Sequence, residues 1–324
     1  MRLTISVAMC TFNGARFLAT QLKSIADQER PPDEIVICDD GSSDGSIEIL
    51  REFAHCAPFP TQVVVNEDNL GSTRNFEKAI SLCKGAVVAL ADQDDVWYRH
   101  KLGCIEDAFL QSTETALAFS DADLIDDDSQ CVPGHLWPTF AFDRAEQRKC
   151  ASGDALAVLL KHPVVTGATM AFRRDYFELF APIPASQIHD RWISLLLAVQ
   201  GKFAVISDRL IQYRQHAGQQ VGPGPRTLQE RTQRAMLTTA SFYRAEVERF
   251  QEFRKRLEEH SGGFSNSRRA LPEVSRKISH LEHRAGLPAS RVARIPAMLR
   301  QTLNGDYWRY STGWSSIAKD LLLP

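Results

Sequence analysis

Asp92, Asp94 and Asp95 fall within four residues and directly follow the apolar run Val87–Ala91. Carboxylates packed this closely repel one another unless a cation or hydrogen-bond donors compensate them. Oxygen ligands select a hard ion such as Mg²⁺ or Mn²⁺, which keeps waters and bridges to substrate phosphates. A solvated turn would carry similar letters, but the buried run in front and Trp97 behind argue for a metal site.

Three further polar clusters end apolar runs: Cys10-Thr11-Phe12-Asn13-Gly14, Asp39-Asp40-Gly41-Ser42-Ser43-Asp44 and Asn66-Glu67-Asp68-Asn69. Turn chemistry would account for any one of them; four at successive strand ends suggest a ligand edge. Other nucleotide signatures are missing. No G-x-G-x-x-G follows the first strand, and no G-x-x-x-x-G-K-[ST], G-x-S-x-G or H-E-x-x-H occurs. The first strand ends in Cys-Thr-Phe-Asn, not in the aspartate pair of a haloacid-dehalogenase-like phosphatase. Asp190 opens an amphipathic stretch, where a helix N-terminus favours its ionised form; an N-cap carboxylate is the competing reading. His216 suits a ligand or a loop histidine bonded to backbone.

The elements that must position these groups are legible from periodicity. Leu3–Met9, Glu34–Cys38, Gln62–Val65, Ala86–Ala91 and Ala116–Ser120 read as strands of continuous apolarity, as in parallel sheets covered on both faces. Between them, Leu18, Leu22 and Ile25 form one helical stripe and Phe76, Ala79, Ile80 and Cys83 another, with Gly85 expected to stop the second helix. An α/β fold with right-handed crossovers follows, and ligands are expected at the carboxyl ends of its strands. Residues 126–150 look irregular. A helix is predicted over Asp154–Lys161, a strand over Val164–Phe172, an amphipathic helix from His189, and two strands at Phe203–Ser207 and Leu210–Tyr213. The catalytic unit is expected over 1–221, with a nucleotide-binding half (1–125) and an acceptor-binding half (126–221). Gly/Pro-rich residues 222–226 read as a linker, and 227–324 as a helical region that opens with a long helix over Thr227–Glu259.

Charge is uneven along the chain. Residues 1–220 carry 20 basic and 30 acidic side chains, and 221–324 carry 18 and 10, for a net charge of −2 overall. That balance disfavours a nucleic-acid binder. Seven cysteines without a C-x-x-C suggest free thiols in a reducing compartment. No leader or membrane-spanning run is expected, so the reading is a cytoplasmic protein, at most peripheral at the inner face of the membrane. Near the end, Arg291, Arg294 and Arg300 interleave with Val292, Ile295, Met298 and Leu299, ahead of Tyr307-Trp308-Arg309-Tyr310 and Trp314. This suits either a membrane surface or helices packed on the catalytic unit or on a second copy.

Taken together, VAMCTFNG, EIVICDDGSSDGS, NLGSTRNFEKAI, ALADQDDVW, HDRW and YRQH resemble the inverting family-2 glycosyltransferases of GT-A fold, in particular bacterial rhamnosyltransferase-like members, over roughly residues 4–220. The resemblance implies a Rossmann-like, mostly parallel sheet flanked by helices, with a helical C-terminal region. It implies that Thr11 and Asn13 line the nucleobase and ribose pocket, that Asp40 accepts a hydrogen bond from the base, and that Arg74 lies near the diphosphate. Asp92 would contact the ribose or a metal-bound water, Asp94 would bind the metal, and His216 would sit near metal and diphosphate, giving Asp94, Asp92 and His216 as the metal set. Asp190 matches the general base; His189 stands where many relatives carry an acidic residue. The implied reaction is metal-dependent transfer of a sugar, L-rhamnose by resemblance, from a dTDP- or UDP-sugar to a glycan or glycolipid in bacterial surface polysaccharide synthesis. A non-catalytic nucleotide-sugar-binding or scaffold protein is the alternative.

Overall fold

The computed structural model describes residues 2–216, 239–260 and 262–322. Among them one sheet contains nine strands: β1 (Ile5–Thr11), β2 (Glu34–Asp39), β3 (Thr61–Val65), β4 (Val87–Ala91), β5 (Val96–Trp97), β6 (Thr115–Ile125), β7 (Cys131–His135), β8 (Met170–Arg173) and β9 (Lys202–Arg214). Their order is β3-β2-β1-β4-β8-β6-β9-β5, with β7 paired to β6 outside this path. The first four strands are mutually parallel. β8 runs antiparallel to both β4 and β6, while β6 and β9 are parallel. The carboxyl ends of β1, β2, β3, β4, β6 and β9 therefore share one edge.

Side chains alternate across a strand, and here the alternation sorts the core into two layers. Ala8, Cys10, Val36, Cys38, Val88 and Leu90 pack on one face, against Phe76, Ala79 and Ile80 of the Ser72–Leu82 helix. Val7, Met9, Ile35, Ile37, Ala89 and Ala91 pack on the other, against Leu18, Leu22 and Ile25 of the Ala15–Ala26 helix. Both faces are covered, which is why these strands are continuously apolar.

Several local expectations are corrected. Gly85 does not cap the Ser72–Leu82 helix; a Cβ there would lie 2.6 Å from the Ser6 backbone nitrogen, so glycine lets the chain pass β1 closely. The apolar stretch Val164–Phe172 is a strand only from Met170, because Gly167–Thr169 forms a 3₁₀ turn. Phe203–Ser207 and Leu210–Tyr213 are one strand, β9, whose pairing with β6 shifts register near Asp121. The helix near 154 spans Ala155–Leu159. The irregular 126–150 stretch contains β7 and the helices Leu136–Thr139 and Arg144–Ala151.

The His189–Gln200 helix is buried nearly all round, because helices from the end of the chain cover its outer face. The helices at the end of the chain are Ala240–Glu259, Ser267–Ala285, Arg291–Leu303, Asp306–Tyr310 and Trp314–Leu322, of which Ala240–Glu259 packs directly on His189–Gln200. Phe250, Phe253 and Leu257 join the same hydrophobic cluster as Trp192 and Leu196. The 222–226 linker and the expected start of the long helix lie outside the described residues.

Candidate active site

At the shared edge the loops are braced by short polar side chains. Buried Asp39 accepts from the Thr11 hydroxyl (2.7 Å), the Ser42 hydroxyl (2.6 Å) and the Ser42 N–H (2.8 Å). Asn13 adopts φ 48°, a left-handed conformation that asparagine tolerates. Its N–H donates to Ser42 Oγ and its Oδ1 accepts from the Ser43 N–H. The carboxylate of Asp40 is bound by Asn66 Nδ2 and by the backbone N–H groups of Leu70 and Gly71, each at 2.8 Å. Asp40 thus ties the β2 loop to the β3 loop. Arg74, in the first turn of the Ser72–Leu82 helix, is exposed, with Glu77 3.6 Å away.

The β4 end carries the acidic segment. Gln93 uses both ends of its amide to clasp Phe12, accepting from its N–H (2.8 Å) and donating to its carbonyl (3.1 Å). Gly14 is required for this clasp, since a Cβ would lie 2.3 Å from Gln93 Oε1. The carboxylate of Asp94 lies 2.8 Å from His216 Nε2, and the His216 ring tilts against Phe17. Asp95 is buried; its Oδ1 accepts from the Arg214 N–H, while Oδ2 is buried without a hydrogen-bond partner. Burial first, then Asp94 and Asp190, pushes Asp92 up to about 7 against the opposing pull of Lys101. Desolvation likewise holds Asp95 well above the usual carboxylate range, with Asp94 and then Asp92 adding to the effect.

Two buried cations answer part of this negative charge. Lys101 donates to the Ala168 carbonyl at 2.7 Å and stands 3.9 Å from the centre of the Trp97 ring; burial lowers its ammonium to about 7. Arg214 donates to the Asp94 and Asp126 carbonyls at 2.7 and 2.6 Å, with its guanidinium 4.3 Å from the centre of the Phe17 ring. Sequence reasoning singled out neither cation, nor Gln93 or Tyr213. The buried Tyr213 hydroxyl is raised first by desolvation and then by Asp95, Asp92, Asp94 and Asp190 together. Arg214 does fall in the YRQH motif, two residues before His216, a signal that could have found it.

From the other half of the sheet, Asp190 enters in the first turn of the His189–Gln200 helix. Its Oδ2 accepts from the Gly167 N–H at 3.1 Å and its Oδ1 from the Arg191 N–H at 2.6 Å. His189 stacks on Phe76, ring centroids 4.1 Å apart, and both ring nitrogens are buried without a hydrogen-bond partner. Burial lowers its pKa, so the imidazole beside Asp190 is held neutral.

A divalent ion can be tested against the donor set. Among the described residues no three His, Cys, Asp or Glu side chains converge as a metal cage. Asp94 and His216 supply one carboxylate and one imidazole. Two such ligands fit a Mg²⁺ or Mn²⁺ ion that keeps waters and takes phosphate oxygens; they do not make a four-ligand zinc site.

The family model described as glycosyl transferase family 2 matches residues 6–180. The chain belongs to this family. An uncharacterized glycosyltransferase of Nostoc sp. is 30% identical over 222 residues, covering 65% of each chain. A dTDP-rhamnosyl transferase of Shigella flexneri is 33% identical over 98 residues, covering 29% of this chain and 34% of that protein. The matches thus span under two thirds of these relatives' lengths. Among solved structures, Staphylococcus aureus TarS in complex with UDP-GlcNAc superposes with a TM-score of 0.55 at 15% identity, covering 91% of this chain and 79% of TarS. The mannosyltransferase PcManGT of Pyrobaculum calidifontis, in complex with GDP-Man and Mn²⁺, gives 0.52 at 17%, covering 94% and 76%. At these identities the superpositions speak for the fold, which is the GT-A type.

Proposed function

We propose that this family-2 chain is a metal-dependent inverting glycosyltransferase that moves a hexose from a pyrimidine nucleoside diphosphate to an acceptor hydroxyl. One observation supports the reading: the sheet edge that carries the Asp94–His216 pair at 2.8 Å also carries Asp92, whose buried carboxylate is raised by Asp190 from the His189–Gln200 helix. Metal-side and acceptor-side groups thus meet at one sheet edge. Thr11, Asn13 and Asp40 line the base and ribose side, with Arg74 near the diphosphate. Asp94 and His216 would hold the ion, with Asp92 next to Asp94 on the same segment. When bound, the divalent cation neutralises charge on the departing diphosphate.

Asp190 takes the acceptor's proton as the acceptor oxygen bonds to the anomeric carbon and the carbon–oxygen bond to diphosphate breaks on the opposite face. The likeness to the dTDP-rhamnosyl transferase over 98 residues supports dTDP-L-rhamnose as the donor to test first, with UDP-sugars next, and a bacterial surface glycan as acceptor. A panel of nucleotide sugars screened by thermal shift identifies the donor, since ligand at 100 times its Kd stabilises by about 2.7 kcal/mol. Product formation with that donor and mixed glycan acceptors then decides between transferase and binding protein. Tight donor binding without transfer or hydrolysis would leave only the binding protein.

A further inference from the structure

We propose that the Arg291–Leu303 helix is a docking face for an anionic lipid surface. Val292, Ile295, Leu299 and Leu303 follow i, i+3, i+7, i+11 spacing and so form one stripe. The stripe points outward: Val292 is 76% and Leu303 85% exposed, while Arg294 and Met298 on the opposite side are buried. An uncovered apolar stripe of this length marks an interaction surface.

The charges around it select the partner. The helix has no acidic residue, and Arg291 and Arg300 are exposed on it beside the stripe. Over residues 291–322 the basic side chains outside the core are Arg291, Arg300, Arg309 and Lys319, against the acidic Asp306; Arg309 pairs with Glu273 at 3.0 Å, and Arg294 is buried on the opposite side. Asp320 is taken up by Arg284 in a buried ion pair at 2.7 Å. Arg300 also lines a cleft of about 590 Å³ together with Arg276, His283 and Arg309, with Asp306 in its wall. Trp308 and Trp314 stack edge to face at 5.4 Å, and Trp314 is 71% exposed. An apolar stripe flanked by arginines is the composition of a helix lying in a lipid interface, with the exposed tryptophans on the two helices that follow it, and its net positive charge complements anionic headgroups. No helix among the described residues is long and apolar enough to cross a membrane, so this contact lies on the surface.

The test is flotation of the full chain with vesicles of phosphatidylcholine alone and of phosphatidylcholine mixed with an equal part of phosphatidylglycerol. Binding should require phosphatidylglycerol, weaken with salt, and blue-shift tryptophan emission. Leu299→Glu/Leu303→Glu should weaken partitioning at least about tenfold, and Arg291→Gln/Arg300→Gln should reduce it at low salt. All four sites are exposed; circular dichroism and nucleotide affinity should stay unchanged. Failure to float with phosphatidylglycerol at low salt overturns the proposal, and so does equal flotation of the leucine variant. Light scattering that shows self-association abolished by the same variant assigns the face to a second copy instead.

Discussion

Asp190 and Asp94 are both carboxylates near the sheet edge, yet their surroundings differ. Asp190 accepts from two backbone N–H groups, which hold it in place and leave lone pairs for a further donor. The proposed base role predicts what its loss should do. Asp190→Asn keeps the size and loses the basicity. Transfer should fall at least about 10²-fold, with donor affinity by calorimetry little changed; an equal loss of both would make the residue a structural cap. The neighbouring His189, neutral and without a hydrogen-bond partner on either ring nitrogen, should matter less, and His189→Ala should retain more activity than Asp190→Asn. Asp94 pairs with His216. Asp94→Ala should remove the gain in nucleoside diphosphate affinity produced by Mn²⁺ or Mg²⁺; equal affinities with metal and with EDTA in the unsubstituted protein would rule out the ion.

The loops are held by carboxylates in the way helices are held by caps. Asp40 satisfies three donors across two strand ends. Asp40→Ala leaves those donors short of partners in a buried place, and stability should drop by at least about 2 kcal/mol in urea denaturation. Gly14→Ala acts differently. Its Cβ would displace only the end of the Gln93 side chain, so the melting temperature should move little. The Phe12–Gln93 clasp would be lost and donor affinity should fall. An unchanged donor Kd would show that the clasp plays no part in the pocket.

At the scale of the molecule, the Ala240–Glu259 helix anchors the segment that delivers Asp190. Arg191 forms a two-pronged pair with Glu246 (2.9 and 2.6 Å), Gln187 donates to Glu252 and to the Arg249 carbonyl, and Arg256 donates to the Leu179, Ala181 and Pro182 carbonyls. Burial alone would raise Glu246, but Arg191 and then Arg249 bring it down to about 2. Its contribution is therefore complete above its unfolded value of about 4.3 and is lost as pH falls toward 2. His280, bonded to Gln301 and Ser311, is lowered by burial to about 4. The unfolded chain protonates that residue first, so stability falls as pH drops from about 6.5 to 4. Denaturant midpoints should decline over that range, and His280→Gln should flatten the decline. Glu246→Gln breaks a buried pair and should cost roughly 3 kcal/mol, with a loss of turnover that outweighs any loss of nucleotide affinity.

The parallel half of the sheet was legible because burial on both faces writes itself as continuous apolar runs, and strand ends announce themselves as polar clusters. Thr11, Asn13, Asp40 and Asp92–Asp95 share an edge for that reason alone. The start of the strand within the Val164–Phe172 stretch and the continuity of β9 were not legible, because a 3₁₀ turn among buried residues and a shift in pairing register leave the apolar pattern unchanged. Nor could the sequence say what compensates the aspartates. Lys101 and Arg214 lie six and 119 positions beyond Asp95, and only the folding of β9 and the Lys101–Leu110 helix around the segment brings their charges to it. Periodicity likewise marked the His189–Gln200 helix as amphipathic, whereas tertiary packing covered most of its outer face as well, leaving Asp190, Arg191 and Gln200 half-buried. Local pattern reports how one segment meets its nearest layer; charge compensation and the covering of a second face depend on residues distant in sequence.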